Sequence, residues 1–106
     1  HGIAIHQYGD LSEGCTNLGD HFNPLNVNHG GRLQSPFQRH VGDLGNIHVN
    51  LDGSASSELK DYLIQLQGRY TVVGRSVAIH ELTDDLGKGG DSDSSTNGHS
   101  GSAIAC

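Results

Sequence analysis

Apolar and polar residues alternate at the start of the chain, through Gly2-Ile3-Ala4-Ile5-His6, and again through Ser76-Val77-Ala78-Ile79-His80. A period of two marks a strand, so the pattern predicts strands over residues 1–7 and 76–81. Shorter apolar runs at 46–51 and 62–67 predict two more. The first of these runs into Asp52-Gly53, a dipeptide suited to a tight turn. Between residues 57 and 66 the spacing also permits a helical turn. No long apolar stripe of period 3.6 occurs, so the chain reads as all-β. Residues 8–45 and 82–102 contain little that predicts regular structure. Connections longer than about 12–15 residues without structure are uncommon in compact domains unless functional or disordered. The first holds Cys15, His21, His29, His40 and Asp43. These are tethering residues, which favours an ordered loop held by a metal and a disulfide.

Composition sharpens this picture. The 106 residues suit one domain, with 33% hydrophobic residues, 5% aromatic, and neither Trp nor Met. That is lean for a core, and small domains bury a modest fraction of their surface. Sixteen glycines favour turns and long loops. A formal charge of −6 and the absence of a basic stripe argue against nucleic acid and anionic membranes as partners. No apolar run approaches the about 18 residues of a membrane span. Eight histidines outnumber the six Lys and Arg together, so something besides apolar burial is expected to hold the fold. The chain opens inside a strand pattern and closes on Ala103-Ile104-Ala105-Cys106. Residues 1–106 are therefore expected to be a single domain cut at both ends.

The long loop reads His21-x7-His29-x10-His40-x2-Asp43. Three imidazoles and a carboxylate form a four-donor set natural for zinc. Any one of these histidines alone would be an ordinary loop residue; the grouping points to metal. His6 and His80 close two strand-like segments and are placed to reach the loop. Asp84 reads either as a carboxylate that orients a ligand imidazole or as a solvated turn residue. His1, His48 and His99 have no evident constellation.

Taken in order, the motifs His1-Gly2, Ile5-His6, Tyr8-Gly9-Asp10, Gly14-Cys15, Gly19-Asp20-His21-Phe22-Asn23-Pro24, His29-Gly30-Gly31, Arg39-His40-Val41-Gly42-Asp43-Leu44-Gly45-Asn46, Gly74-Arg75, His80-Glu81, Asp84-Asp85-Leu86-Gly87-Lys88-Gly89-Gly90, Gly101-Ser102 and Ala105-Cys106 resemble the copper/zinc superoxide dismutase family along the whole chain. The resemblance implies an eight-stranded Greek-key β-barrel with long zinc and electrostatic loops, of which this chain covers the later half. It implies zinc ligands His21, His29, His40 and Asp43, and copper ligands His6, His21 and His80, with His21 bridging the metals and donating protons. It further implies a Cys15–Cys106 disulfide, bracing of that region by Arg75, and a homodimer contact to which Tyr8 and Gly9 contribute. Such a bridge is compatible with a cytoplasmic or an extracellular setting.

Two positions depart from the family pattern. Ala4 stands where the family has the first histidine of an H-x-H pair, its fourth copper ligand. Ala103 stands where an arginine guides superoxide, and the preceding stretch carries Asp91 and Asp93 but no lysine. The stretch between His29 and His40 is also two residues longer than in common members. The expectation is a family protein with an intact zinc site and an incomplete copper site, weak or inactive as a dismutase. The alternatives are a functional enzyme converting superoxide to O2 and H2O2, and the dismutase-like domain of a copper chaperone.

Overall fold

The computed structural model describes residues 1–106. Its organising strand is β1, Gly2–His6. On one edge it pairs antiparallel with β2, Asp43–Asn46, and on the other with β3, Ser76–His80. A last strand, β4, Ala103–Ala105, adds to β3 and completes the order β2-β1-β3-β4. The register sets Ala4 opposite Asp43 on one side and Ala78 on the other, and sets His80 opposite Ala103. The only helix is α1, Ser92–Asn97. No helix is long and apolar enough to cross a membrane. The antiparallel sheet with little helix has the all-β character expected.

Two expected strands are corrected. Pairing with β1 falls at Asp43–Asn46, three residues before the run at 46–51 begins to leave the sheet. Beyond it the chain turns at Asp52-Gly53, where Asn50 N donates to Ser54 O and Gly53 N to Asn50 O. The run at 62–67 forms neither strand nor helical turn: its pairing is a single bridge between Gln65 and Thr71. Leu63 instead drops into the core while Leu66 remains exposed. Conversely, the polar stretch before Ser102 contains α1. Asp91 caps it by accepting from Ser94 N, and Gly98 ends it at φ +68°, a left-handed conformation that glycine adopts without steric cost.

Alternation along the strands divides two environments. Ile5 joins Phe22, Val41, Leu44 and Leu63 in a small apolar cluster, with Ile3 packed beside it. Ala4 and His6 occupy the other phase of β1, and Ala78 and His80 the matching phase of β3. Residues 7–42 lack helix and extended strand pairing, yet they are fastened to the sheet. Gln7 N donates to Asp20 O, Phe22 N to Ile5 O, and Ile5 N to Gly42 O. Gly42 lies so close to β1 that a Cβ there would overlap Ile5 O. The disulfide Cys15–Cys106 joins this loop to the residue after β4.

Candidate metal centre

His21 enters through the loop segment that extends the edge of β1, bridging antiparallel to His6. His40 follows Arg39, a fully buried guanidinium that donates to Arg32 O, His40 O and Val41 O and pairs with Asp61 at 2.6 Å. Asp43 opens β2, and His29 is fixed by its backbone N–H to Ser95 O. The result is compact. Nδ1 of His21, His29 and His40 lies 2.9, 2.8 and 3.2 Å from one oxygen of Asp43. The other carboxylate oxygen accepts from Gly30 N and His40 N, which aims the first oxygen at the rings.

The four predicted residues are thus together, all buried, with their donor atoms within 4.8 Å of one another. Burial pushes the Asp43 carboxyl upward, but hydrogen bonds from His21, His29 and His40 overcome this and hold it far below the usual range. Burial opposes charge on His29. Its close contacts with the Asp43 and Asp84 carboxylates prevail and raise its pKa to about 9. His29 Nε2 meets Asp84 Oδ1 at 2.6 Å, and Asp84 is itself clamped by two bonds with the Asn46 side chain. His29 Nδ1, buried and 2.8 Å from Asp43 Oδ1, lacks the alignment of a formed hydrogen bond. An orphaned donor nitrogen beside an anionic oxygen is what a zinc ligand set looks like without its ion, so these residues fit zinc.

A second group lies on the other side of His21. His6 and His80 approach with Nε2 atoms 2.9 Å apart, and His21 Nε2 faces them, buried and unpartnered. Each of the first two is anchored by Nδ1, to Gly19 O and Gly101 O at 2.8 Å. Burial lowers His6 to about 4, helped by the neighbouring His21 and His80; burial likewise lowers His80. No fourth histidine, cysteine or carboxylate joins this group. Ala4, in the same phase of β1 as His6, contributes a methyl group. Three nitrogens are one fewer than the four-nitrogen tetragonal set that Cu(II) prefers.

Arg75 donates to Gln7 O and Thr71 O, and its guanidinium lies 3.6 Å from the centroid of the Phe22 ring. It therefore braces the loop next to His21. Among the histidines without an assigned constellation, His1 bonds His80 O, and His99 pairs with Asp91 at 2.6 Å. The buried Arg39–Asp61 pair and the Asn46 clamp were not expected from the sequence. Asn46 closing the Asp43-Leu44-Gly45-Asn46 strand was the available signal for the second.

Two adjacent imidazole clusters sharing one histidine, set against an antiparallel sheet, offer the donor sets of a metal-binding protein. The family model for copper/zinc superoxide dismutase matches residues 1–106. A Cu-Zn superoxide dismutase of Yarrowia lipolytica is 50% identical over 105 residues, 99% of this chain and 67% of the relative. One from Candida albicans is 48% identical over the same shares. An extracellular Cu-Zn superoxide dismutase of Caenorhabditis elegans is 46% identical over the whole chain, which spans 47% of that relative. The chain belongs to the copper/zinc superoxide dismutase family.

Proposed function

We propose that this protein is a zinc-holding member of the family whose copper position is one donor short and whose dismutase activity is weak or absent. The observation that carries the reading is the group His6, His21 and His80, with the Ala4 methyl in the phase where a fourth nitrogen is needed. Zinc would be held by His21, His29, His40 and Asp43, supplying charge and coordination bonds but no redox chemistry. Copper, where taken up, would rest on His6, His21 and His80 alone. Asp84 orients His29, and with Ala4 it has no second imidazole to join. Ala103, opposite His80 in the sheet, offers no positive charge to draw in superoxide. The stretch of sequence before it carries Asp91 and Asp93 and no lysine, and so supplies no positive potential for an anionic substrate. The homodimer belongs to the same proposal, and Tyr8, about half exposed after β1, suits a contact.

The test is superoxide consumption by the full-length protein, reconstituted with zinc and copper, beside a relative such as that of Yarrowia lipolytica. A rate lower by at least about tenfold is expected, equivalent to roughly 1.4 kcal/mol of barrier. The paired change Ala4→His and Ala103→Arg should raise it. Equal rates in the unaltered protein and the relative would overturn the reading.

A further inference from the structure

Asn97-Gly98 is the only Asn-Gly step in the chain, and it falls at the end of α1. Asparagine is thermolabile, most of all before glycine, whose backbone nitrogen has no flanking Cβ to obstruct it. In the reaction the Gly98 nitrogen attacks Asn97 Cγ, forming a C–N bond as the side-chain nitrogen leaves as ammonia. The five-membered succinimide then takes up water at one of its two carbonyls. Cleavage of the new Cγ–N bond leaves an ordinary aspartate. Cleavage of the original peptide bond leaves isoaspartate, its backbone rerouted through the side chain and one carbon longer. Water is the only co-reactant.

The fold withholds each reacting group. Gly98 N donates to Asp93 O at 3.1 Å and to Ser94 O at 3.2 Å, closing α1. Asn97 Oδ1 accepts from His99 N at 2.9 Å, and Asn97 O accepts from Ser100 Oγ at 3.0 Å. Gly98 O accepts from Asp85 N at 2.9 Å. Attack needs the nitrogen free and turned toward Cγ, so several of these bonds must open together. The same segment is tied to the zinc ligands. Ser95 O in α1 accepts from His29 N, and Asp84, next to Asp85, meets His29 Nε2 at 2.6 Å. Gly98 lies so close to both that a Cβ there would overlap Asp84 Oδ1. An ion that fixes His29 thereby opposes the opening of Asn97-Gly98, because binding only the closed form stabilises it.

We infer that Asn97-Gly98 is a self-modification site gated by zinc: it converts to aspartate and isoaspartate when the zinc ligands are empty and is spared when they are filled. The inference deepens the proposed function, because it rests on His21, His29, His40 and Asp43 holding zinc. The product feeds back on the site. Isoaspartate lengthens the backbone just where Gly98 fits against Asp84 and His29, so the modified chain holds zinc less firmly. A period spent without metal leaves a lasting covalent mark, and the fraction of marked chains records its length.

The experiment incubates full-length protein, zinc-loaded and metal-stripped, at one temperature and neutral pH. The peptide holding Asn97 is followed by mass and by isoaspartate content. Metal-stripped protein is expected to modify at least about tenfold faster than zinc-loaded protein, and Asn97→Gln should show no mass gain on that peptide. Asp91→Ala, which removes the cap of α1 but no metal ligand, should speed modification while zinc is retained. Chains enriched in isoaspartate should give up zinc to a chelator that leaves unmodified chains loaded. Equal rates with and without zinc overturn the inference. So does metal-stripped protein that stays unmodified while a short peptide of residues 92–102 converts fully. Equal zinc retention by modified and unmodified chains overturns the feedback. The outcomes separate the two readings: zinc retained with equal rates sinks this inference alone, full dismutase activity sinks the proposed function alone, and a chain that retains no zinc sinks both.

Discussion

Asp43 and His29 show how much of this molecule is decided by single side chains. In the metal-free protein His29 is held protonated between Asp43 and Asp84, with its pKa raised to about 9. A raised histidine contributes stability that is whole below its unfolded value of about 6.5 and is lost as pH climbs through the folded one. His6, lowered to about 4, contributes stability that is whole above about 6.5 and is lost as pH falls toward 4. The thermal midpoint of metal-free protein should therefore decline on both sides of a maximum near neutrality. A midpoint rising steadily to pH 9 would contradict this. Zinc must displace the His29 proton, so competition with a chelator should show zinc affinity increasing with pH up to about 9. Gly98 gives a mutational counterpart. A Cβ there would overlap Asp84 Oδ1 and stand 2.7 Å from His29 Nε2, at φ +68°. Gly98→Ala is expected to weaken zinc binding by about 10–100-fold, the usual effect of disturbing an outer partner of a ligand. Gly53→Ala, with φ +84° but open space around its Cβ, should incur the backbone strain of about 1–2 kcal/mol and leave zinc affinity unchanged. The spacing of His21, His29, His40 and Asp43 was legible because zinc sites draw on few residue types. The tautomers of His6 and His80 were not, since they are set by the carbonyls of Gly19 and Gly101, which have no side-chain signature.

At the scale of elements, strands were legible where alternation was regular. β1 and β3 fall within the residues that the period of two marked. The runs at 46–51 and 62–67 misled because their apolar residues serve different ends: Leu63 fills the small core, while Leu51 and Leu66 stay exposed. α1 escaped notice because it has no apolar face, although Asp91 and Gly98 are ordinary start and stop residues. Its helix matters to the centre all the same, because Ser95 O receives the backbone N–H of His29. The loop at 7–42 takes its order from hydrogen bonds to β1 and from the Cys15–Cys106 bridge, which spans 91 residues of sequence. Chain entropy assigns such a closure about 4–5 kcal/mol before native strain is subtracted. Cys15→Ser should lower the thermal midpoint and speed amide exchange in residues 8–19 while β1 and β3 stay protected. Unchanged exchange in that segment would show that the loop is held without the bridge.

Across the whole molecule, eleven polar or charged residues are buried against eight apolar ones. Six of the eleven, His6, His21, His29, His40, Asp43 and His80, belong to the two imidazole groups, and Asp84 is bonded to one of them. Buried polar atoms left without partners are costly, so ions bound among them would help to hold the fold. Removing zinc should lower the thermal midpoint substantially, and zinc alone should restore it without copper. The abundance of histidine therefore pointed to the centre, and the lean core to its structural importance. Family membership is carried by the motifs and by the matched relatives. Ala4 and Ala103 are the two departures from the family pattern that bear on the proposed function. The most direct measurement is the metal content of the full-length protein after exposure to equal, saturating zinc and copper followed by removal of loosely bound ions. Zinc retained at one or more per chain with copper well below one is the predicted result; one zinc and one copper per chain, firmly held, would contradict the account.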